Sequence, residues 1–295
     1  MRTLRTLLGF ALLPFCVRAQ QPPTPAPPTA QQVIDRIESD LGTTFPPDTV
    51  DTFKAGDPSA PVTGIVTTFL PTMTVLRTAV AQHANLILTH EPTFYNHRDS
   101  PELFTDDPVY KEKLAYIRDH GLVIFRLHDT IHMAKPDRIV DAFVHQVGWQ
   151  AYANPGDANF FTLPPITVAA LAHELGSKLD AHAVRVVGDP QLQVTHIALR
   201  VGAAGERAQI QALEHPGVEV LVAGEASEWE TVEYVRDAAL QGRHVALILL
   251  GHNASEEIGM KPFAARVQQL FPGLHVSFVP AGEPYWPADH PRPIH

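Results

Sequence analysis

Two stretches decide the fold of this chain: Leu86-Ile87-Leu88-Thr89-His90-Glu91-Pro92 and Leu247-Ile248-Leu249-Leu250-Gly251-His252-Asn253-Ala254-Ser255-Glu256. In each stretch an aliphatic run ends, and a histidine and a carboxylate follow it within a few residues. An aliphatic run of this length is typical of a buried strand. In α/β proteins, ligands and catalytic groups collect at the carboxyl ends of the strands. We therefore predict that the two strand ends form two walls of one metal site.

Strands and helices alternate along the rest of the chain. Apolar runs predict strands at residues 63–69, 86–88, 122–127, 184–187, 195–201, 218–222, 245–250 and 275–279. Helical spacing of apolar residues predicts helices at residues 30–41, 72–83, 109–119, 138–147, 168–179, 208–213, 228–241 and 256–270. This alternation favours the α/β fold class with mainly parallel sheets. Pro164 and Pro165 are the best candidate boundary between an N-terminal half, residues 31–163, and a C-terminal half, residues 164–295.

The composition limits the class of protein. The chain has 295 residues, of which 45% are hydrophobic and 18% charged, so it can bury a sizeable core and is not a disordered chain. The formal net charge is -10, and no block rich in lysine or arginine exists. We therefore expect no nucleic-acid partner, because proteins that bind nucleic acids present basic patches.

The N-terminus is predicted to be an export signal, residues 1–19. Arg2 and Arg5 give the positive start, and a short apolar run follows them. Cleavage after Ala19 would leave a proline-rich linker, residues 20–30, at the start of the mature chain. The apolar run is shorter than the ~20 residues that a stable membrane-spanning helix needs, so we predict no stable membrane insertion. The mature protein is then periplasmic or secreted.

Cys16, the only cysteine, lies within this signal. A lipoprotein signal would place a small residue before the cysteine, whereas Phe15 precedes it, so a soluble exported protein is favoured over a lipid-anchored one. Cleavage after Ala19 leaves no cysteine, which excludes disulfides and thiolate metal ligands from the mature chain. Any metal ion must then be held by histidine, aspartate and glutamate.

Three pairs of candidate metal ligands follow predicted strands. They are His90 with Glu91, His128 with His132, and His252 with Glu256. The i,i+4 spacing of the last two pairs places both side chains on one face if the segment is helical. Four imidazoles and two carboxylates are more than one ion needs, whereas two divalent ions about 3.5–4 Å apart, sharing a bridging water, would use them all. Such a site lowers the pKa of the water and holds a substrate oxygen, so the pattern predicts metal-assisted hydrolysis.

Other side chains leave alternatives open. Asp129 and Asp137 are rival carboxylates beside the second pair, and Glu225 and Glu228 could line the cavity, although a helix cap is favoured for both. The chain holds 16 histidines, so chance clustering can explain any single pair. Nine other histidines are interpreted as surface or satisfied side chains: His83, His120, His145, His173, His182, His196, His215, His244 and His275.

Four segments match the motifs of a known family. They are Ile-Leu-Thr-His-Glu-Pro at residues 87–92, Val-Arg-Val-Val-Gly-Asp-Pro at 184–190, Leu-Gly-His-Asn-Ala-Ser-Glu at 250–256 and Phe-Val-Pro-Ala-Gly-Glu-Pro at 278–284. On these segments the chain resembles the NIF3-like proteins, also called the DUF34 or GTP cyclohydrolase 1 type 2 homologue family. The resemblance implies a dinuclear metal centre between two α/β halves, and a homo-oligomer in the form of a ring-shaped hexamer. The ligands it implies are His90, Glu91, His128, His132, His252 and Glu256.

Two of these positions depart from the usual pattern of the family. The first family motif is usually Thr-His-His-Pro, and Glu91 stands at its second histidine. The middle motif is usually His-x-x-x-Asp, and His132 stands at its aspartate, whereas the final motif from His252 to Glu256 is unaltered. We hypothesise that the two exchanges keep the number of anionic ligands while they redistribute charge around two divalent ions.

Metal analysis of the purified protein beside Glu91→Ala and His132→Ala tests this hypothesis, and unchanged metal content in both variants would refute it. The other interpretation of the two exchanges is that one of the two ions is lost. Mixed nitrogen and oxygen ligands suit Zn, Mn, Fe or Ni similarly well, so the sequence leaves the metal open.

The ligand pattern and the resemblance together predict a metal-dependent hydrolase of unknown substrate, with a small-molecule substrate expected and no catalytic residue singled out. The family label GTP cyclohydrolase does not suit an exported member, because GTP is made in the cytoplasm, and the chain has no Walker-type phosphate loop. One alternative is a non-catalytic metal-binding or protein-interaction factor. Another is a plain α/β domain with surface histidines, which the resemblance disfavours.

Overall fold

The structure, a computed structural model, describes residues 26–288. The predicted signal peptide, residues 1–19, and the first part of the proline-rich linker, residues 20–25, lie outside the described residues. Within residues 26–288, no helix is both long enough and apolar enough to span a bilayer.

Strands and helices alternate through the described chain. The strands are β1 (Phe53–Ala55), β2 (Gly64–Thr68), β3 (Leu86–Thr89), β4 (Val123–Arg126), β5 (Ala153–Asn154), β6 (Asp157–Thr167), β7 (Arg185–Val187), β8 (Gln193–Arg200), β9 (Val220–Ala223), β10 (Ala246–Leu249) and β11 (His275–Phe278). The α-helices are α1 (Ala30–Leu41), α2 (Met73–Ala81), α3 (Pro108–Asp119), α4 (Asp129–Met133), α5 (Arg138–Val147), α6 (Val168–Leu179), α7 (Glu206–Leu213), α8 (Glu233–Leu240) and α9 (His252–Leu270). This order confirms the predicted α/β class.

Helix α1 illustrates how local sequence signals set the elements. The Thr29 side chain accepts the backbone N–H of Gln32, and the Gln32 side chain accepts the backbone N–H of Thr29, which completes a capping box. Gly42 ends the helix with a left-handed φ of 68°. Between these two ends, Val33 and Ile37 lie on the buried face and pack into the core of the first sheet.

The first sheet has the strand order β1-β4-β3-β2-β11. Strands β2, β3 and β4 run parallel, β11 pairs in parallel with β2, and β1 is antiparallel to β4. All residues of β2, β3 and β4 are buried, as expected of strands covered on both faces. Each aliphatic side chain buried here, such as Ile87, contributes about 1.5–3 kcal/mol relative to exposure.

The second sheet has the order β5-β6-β8-β9-β10-β7. Strands β8, β9 and β10 run parallel at its centre, whereas β5, β6 and β7 are antiparallel to their neighbours. The predicted parallel pairing is therefore found at the centre of both sheets, and the antiparallel pairs lie towards their edges.

Pro164 and Pro165 lie within β6, although they were predicted to separate two halves. The pairing of β6 with β8 shifts in register between Thr162 and Ile166, and both prolines fall in this irregularity. A proline lacks the N–H group that a regular ladder uses, so a strand accepts it where the ladder is interrupted. Strand β11, near the C-terminal end of the described chain, also belongs to the first sheet. The two sheets therefore do not correspond to the residues before and after position 164.

Helix α9 joins the two sheets. It starts beyond β10 of the second sheet and then packs against α5 and against β2 and β11 of the first sheet. Gly259 allows α9 to approach α5, because a Cβ at this position would collide with Ile139. The carboxyl ends of β3, β4 and β10 therefore meet near the start of α9, and the predicted site residues lie there.

Candidate metal centre

His90 and Glu91 extend the hydrogen-bonded ladder beyond the end of β3. Their backbone N–H groups donate to the carbonyl oxygens of Thr68 and Phe69, at 3.1 and 2.8 Å. The His90 ring is completely buried, and its Nδ1–H donates to the carbonyl of Leu127 at 3.2 Å. The other ring nitrogen, Nε2, is buried and has no hydrogen-bond partner among the described residues. Such an atom is rare in folded proteins, and a bound ion is one physical reason for it.

His128 and His132 are brought together by α4, whose first turn is capped by a distant aspartate. Asp51 accepts the backbone N–H groups of residues 128, 129 and 130 at 2.6, 2.9 and 2.8 Å. His132 consequently lies one helical turn beyond His128. The ring centroid of His90 is 4.8 Å from that of His128 and 5.0 Å from that of His132, so three imidazoles form one cluster.

His252 and Glu256 share the first turn of α9. This helix begins at His252, earlier than the predicted start at Glu256, and the i,i+4 spacing places His252 Nε2 3.0 Å from Glu256 Oε2. Ser255 Oγ accepts the backbone N–H of Gly202 at 2.9 Å, which fixes the turn against the second sheet. Gly202 has a φ of 61°, and a Cβ there would overlap Glu256 Oε1, so glycine leaves the room that the carboxylate occupies.

Glu91 faces three of the imidazoles with a single oxygen. Its Oε1 lies 3.3 Å from His128 Nε2, 3.5 Å from His252 Nε2 and 4.0 Å from His90 Nε2. The side chains come from different sheets, because His90 and His128 follow strands of the first sheet and His252 follows a strand of the second.

Glu256 faces the same group of imidazoles. Its Oε2 lies 3.0 Å from His252 Nε2 and 3.4 Å from His90 Nε2, and its Oε1 lies 3.8 Å from His132 Nε2. The structure thus brings all six predicted residues together. Two sets of three, which share His90, have ligand atoms within 4.8 Å of one another: His90, His128 and His132, and His90, Glu91 and Glu256.

Every imidazole of the cluster is oriented in the same way. An oxygen atom lies near Nδ1, and Nε2 points toward Glu91, Glu256 or both. A carbonyl or carboxylate oxygen accepts the Nδ1 proton and leaves the Nε2 lone pair of a neutral ring free, which is the usual arrangement of metal-binding histidines. The pairs are His90 with the Leu127 carbonyl at 3.2 Å, His128 with Asp129 at 2.8 Å, His132 with Asp137 at 2.9 Å and His252 with Glu225 at 3.5 Å.

Both central carboxylates are held in the ionised form. Burial disfavours the charge on Glu91, but hydrogen bonds from His128 and His252 and the charge of Arg126 hold its pKa well below the usual range. Burial acts in the same direction on Glu256, and the hydrogen bond and positive charge of His252 outweigh it, so this pKa is also lowered. Two charged carboxylates are therefore available as oxygen ligands.

The imidazoles differ in protonation in the metal-free protein. Burial lowers the pKa of His90, so its ring is neutral. Burial also opposes a charge on His252, but the carboxylates of Glu225, Glu256 and Glu91 outweigh it and raise the pKa of His252 to about 12. Glu91 and Asp129 raise the pKa of His128 in the same way. A metal ion at Nε2 would have to displace these protons.

The carboxylates that the sequence left open lie outside the central cluster. Asp129 and Asp137 contact the Nδ1 atoms of their histidines, behind the rings. Glu225 was predicted to be a helix cap and instead lies beside His252, because it follows β9 at the sheet edge that faces α9. Glu228 lies 3.8 Å from Arg185 on the surface.

The nine histidines interpreted as surface or satisfied side chains are accessible to solvent. Eight are exposed and His182 is half-buried, in contrast with the completely buried His90. The exposed ones are His83, His120, His145, His173, His196, His215, His244 and His275.

Arg126 is the site residue that the sequence interpretation missed. Its side chain is completely buried at the end of β4, and its Nη2 lies 2.9 Å from Glu91 Oε2. The signal was available, because Arg126 interrupts the apolar run at residues 122–127 only two residues before His128. An arginine in a buried strand is rare unless an acidic partner lies beside it.

Comparison with known proteins places the whole arrangement in one family. The family model Duf34/NIF3 (NGG1p interacting factor 3) matches residues 49–283. A GTP cyclohydrolase 1 type 2 homolog from Clostridium acetobutylicum is 24% identical over 212 residues, which make up 68% of this chain and 75% of that protein.

Solved structures agree with this match at the level of the fold. The hypothetical protein SA1388 of Staphylococcus aureus is 15% identical, with a TM-score of 0.68 and coverage of 88% of this chain and 99% of that one. The Bacillus cereus protein related to NIF3 has the same identity, TM-score and coverage. Because the family model spans most of the chain, including all six converging residues, the chain belongs to the Duf34/NIF3 family.

Proposed function

We propose that this protein binds two divalent metal ions through His90, Glu91, His128, His132, His252 and Glu256. The observation that carries the proposal is the common orientation of the four imidazoles: an oxygen lies near each Nδ1, and each Nε2 faces at least one of the two carboxylates. The buried Nε2 of His90, which has no hydrogen-bond partner among the described residues, lies at the centre of the group. Neutral nitrogen and anionic oxygen ligands fit Zn, Mn, Fe or Ni.

Two ions fit the donor set better than one. Six donors from six side chains exceed the four that a tetrahedral ion takes. Glu91 stands where the family usually has a histidine, and His132 stands where it usually has an aspartate. The set therefore keeps two anionic ligands, Glu91 and Glu256. The single-ion alternative predicts half the metal content.

Metal content measured on protein purified without a histidine tag tests this proposal. We expect about two divalent ions per chain after dialysis against Zn²⁺ or Mn²⁺. His90→Ala should lower the content, whereas His145→Ala, on an exposed helix face, should leave it unchanged. Equal content in wild type and His90→Ala would show that the ions bind elsewhere.

We propose a metal-dependent hydrolase, with a small molecule as the substrate, as the activity of this centre. Two ions bound here would supply a nucleophile from water at neutral pH and polarise a substrate oxygen. Glu91 and Glu256 would be occupied as ligands, and a ligating carboxylate is a poor general base. Glu225 is the acidic group that remains free to act as a base, since its side chain is 52% exposed and lies beside His252.

A screen of generic phosphate-ester, ester and peptide substrates with added Mn²⁺ or Zn²⁺ tests for this activity, and His90→Ala should abolish any activity found.

A non-catalytic metal-binding or interaction factor is the second candidate. The family name, NGG1p interacting factor 3, favours it. No activity in the screen with either Mn²⁺ or Zn²⁺, together with full metal content, would select this candidate over the hydrolase.

Export and assembly complete the proposal. We propose that the chain is exported and cleaved near Ala19, which the positive start and short apolar run of residues 1–19 support. The N-terminal sequence of protein recovered from the periplasm or medium should begin at Gln20.

We propose a homo-oligomer, a hexamer by resemblance, and light scattering on the purified protein should give six times the mass of one mature chain.

A further inference from the structure

Arg126 makes an unusual set of buried contacts behind Glu91. Its Nη2 donates to Glu91 Oε2 at 2.9 Å, and its Nε donates to the carbonyl oxygen of His90 at 3.1 Å. Its Nη1 donates to the carbonyl oxygen of His97 and lies 4.0 Å from Asp99 Oδ2. One planar group therefore holds both candidate ligands at the end of β3 and the loop that follows them.

The charges around Arg126 are balanced in pairs. A buried guanidinium destabilises the fold unless acidic groups and hydrogen-bond acceptors surround it. Glu91 supplies one acidic group. Asp99 lies between Arg126 and Lys54, and its Oδ2 is 3.5 Å from Lys54 Nζ. Glu91 is therefore the closest acidic partner of Arg126, and without Glu91 the acidic group that remains beside the guanidinium is Asp99, 4.0 Å away.

The same contact determines which oxygen of Glu91 can meet a metal ion. Arg126 occupies Oε2, and Oε1 remains the oxygen that faces His128 and His252, at 3.3 and 3.5 Å. A carboxylate fixed in this way offers one oxygen in a set direction. Without the guanidinium, the carboxylate could rotate and take an ion through both oxygens.

We propose that Arg126 is a positioning residue that makes Glu91 a single-oxygen metal ligand, and that Glu91 and Arg126 act as one unit. The inference rests on the proposed metal centre. It adds a claim that the centre alone does not make. A carboxylate at position 91 binds metal tightly only when a guanidinium lies behind it. A neutral ligand at position 91 binds metal tightly only when that guanidinium is absent.

Four proteins test this unit: wild type, Arg126→Met, Glu91→His and the double variant. Arg126→Met should weaken Zn²⁺ affinity about 10- to 100-fold, because the ligand loses its orienting partner. Glu91→His should weaken it by a similar factor, since a buried guanidinium then lies beside the ions without its closest acidic partner. The double variant has a neutral imidazole and no buried cation, so it should bind more tightly than either single variant.

Equilibrium dialysis gives the affinities, and the absorption spectrum of bound Co²⁺ reports a change in the ligands around the ion. Arg98→Met, at an exposed arginine, is the matched control and should bind as wild type does. If Arg126→Met does not fold, Arg126→Lys serves in its place, because it keeps the charge but not the three contacts. Lower affinity and an altered Co²⁺ spectrum in the folded lysine variant then support the proposal.

Unchanged affinity and an unchanged Co²⁺ spectrum in the folded Arg126 variant would overturn the positioning role while leaving the metal centre intact. A double variant whose loss equals the product of the two single losses would overturn the claim that the residues act as one unit. Wild-type protein that binds no ion would overturn the metal centre itself and this inference with it.

Discussion

The residues behind the imidazoles decide whether the cluster can bind metal. Asp137 shows this most clearly, because its two oxygens have different partners. Oδ2 accepts from His132 Nδ1 at 2.9 Å, and Oδ1 accepts the backbone N–H groups of Ile139 and Val140 at the start of α5. One side chain thus caps a helix and orients an imidazole, and the two roles can be separated by substitution.

Asp137→Asn should weaken metal binding while the fold is kept. Asparagine caps a helix as well as aspartate does, so α5 retains its cap. The amide lacks the second acceptor for His132 Nδ1–H, and the loss of such a partner lowers metal affinity about 10- to 100-fold. Equilibrium dialysis with Zn²⁺ measures the effect. Asp141→Asn removes a similar but exposed partner of His145 and should leave the affinity unchanged.

Lys113 is a buried charge outside the metal cluster, and it makes stability depend on pH. Its Nζ donates to the carbonyl oxygen of Thr93 at 2.7 Å, and burial lowers its pKa to about 8. The unfolded chain keeps the ordinary value of 10.5, so between pH 8 and 10.5 the unfolded state binds more protons than the folded state. Stability attributable to Lys113 therefore rises with pH through this window.

Lys113→Met should remove that rise. Relative to the variant, the wild type should gain stability of the order of 3 kcal/mol between pH 8 and pH 10.5, since each pKa unit corresponds to about 1.4 kcal/mol. Urea unfolding of both proteins at several pH values gives the difference. Lys111→Met, at an exposed lysine on the same helix, is the control. A stability difference between Lys113→Met and wild type that stays constant with pH would contradict the buried charge.

At the scale of elements, the start of α9 depends on two glycines of the second sheet. Gly202 and Gly224 lie so close that a Cβ on Gly224 would collide with the backbone of Gly202 and with Ser255 Oγ. The backbone N–H of Gly202 also holds Ser255, the neighbour of Glu256. The position of the Glu256 carboxylate is therefore fixed by the sheet as well as by its own helix.

Gly202→Ala should disturb the site more than its backbone strain alone explains. A left-handed φ costs an alanine about 1–2 kcal/mol. The added Cβ would also displace the Glu256 carboxylate, so metal affinity should fall with stability. Gly42→Ala is the matched control, because Gly42 has a left-handed φ of 68° and nothing within 4 Å of its Cβ position. Both variants need urea unfolding and Zn²⁺ dialysis, and equal metal affinity in the two would contradict the account.

The elements that sequence patterns predicted are those with local signals. Helices α1, α5 and α6 begin and end at the predicted residues, because each has an amphipathic face and a side-chain cap next to its start. Helix α4 was missed because its cap, Asp51, lies far away along the chain. Strand β6 was missed because Pro164 and Pro165 resemble a boundary, and only its pairing with β8 shows why they are tolerated.

The same distinction applies to the site. Residues that follow aliphatic runs, such as His90 and His252, were found because strand ends have a clear pattern. The roles of Asp129, Asp137 and Glu225 depend on which side of an imidazole they reach, and sequence spacing does not contain this information. The pairing of Arg126 with Glu91 likewise joins two strands through a contact between side chains.

At the scale of the whole molecule, the candidate centre connects the two sheets. His90 and Glu91 come from the first sheet, and His252 and Glu256 come from the helix that follows the second. Ion pairs link the two sheets at this point, between His90 and Glu256 and between His252 and Glu91. Bound ions would replace them with stronger bonds that exist only in the folded state.

Metal should therefore stabilise the whole fold. Free Zn²⁺ at 100 times its dissociation constant should add about 2.7 kcal/mol to the free energy of unfolding for each bound ion. Urea unfolding with Zn²⁺ and with a chelator measures the difference, and His90→Ala should reduce it. Zn²⁺ that leaves wild-type stability unchanged, or that stabilises His90→Ala equally, would argue against a site shared by the two sheets.

The most direct test of the central claim is an anomalous difference map from crystals grown with Mn²⁺ or Zn²⁺ and measured at the absorption edge of the metal. The account predicts two peaks about 3.5–4 Å apart, between Glu91 and Glu256 and within bonding distance of the four imidazole Nε2 atoms. Peaks confined to surface histidines, or an empty space between Glu91 and Glu256, would contradict it.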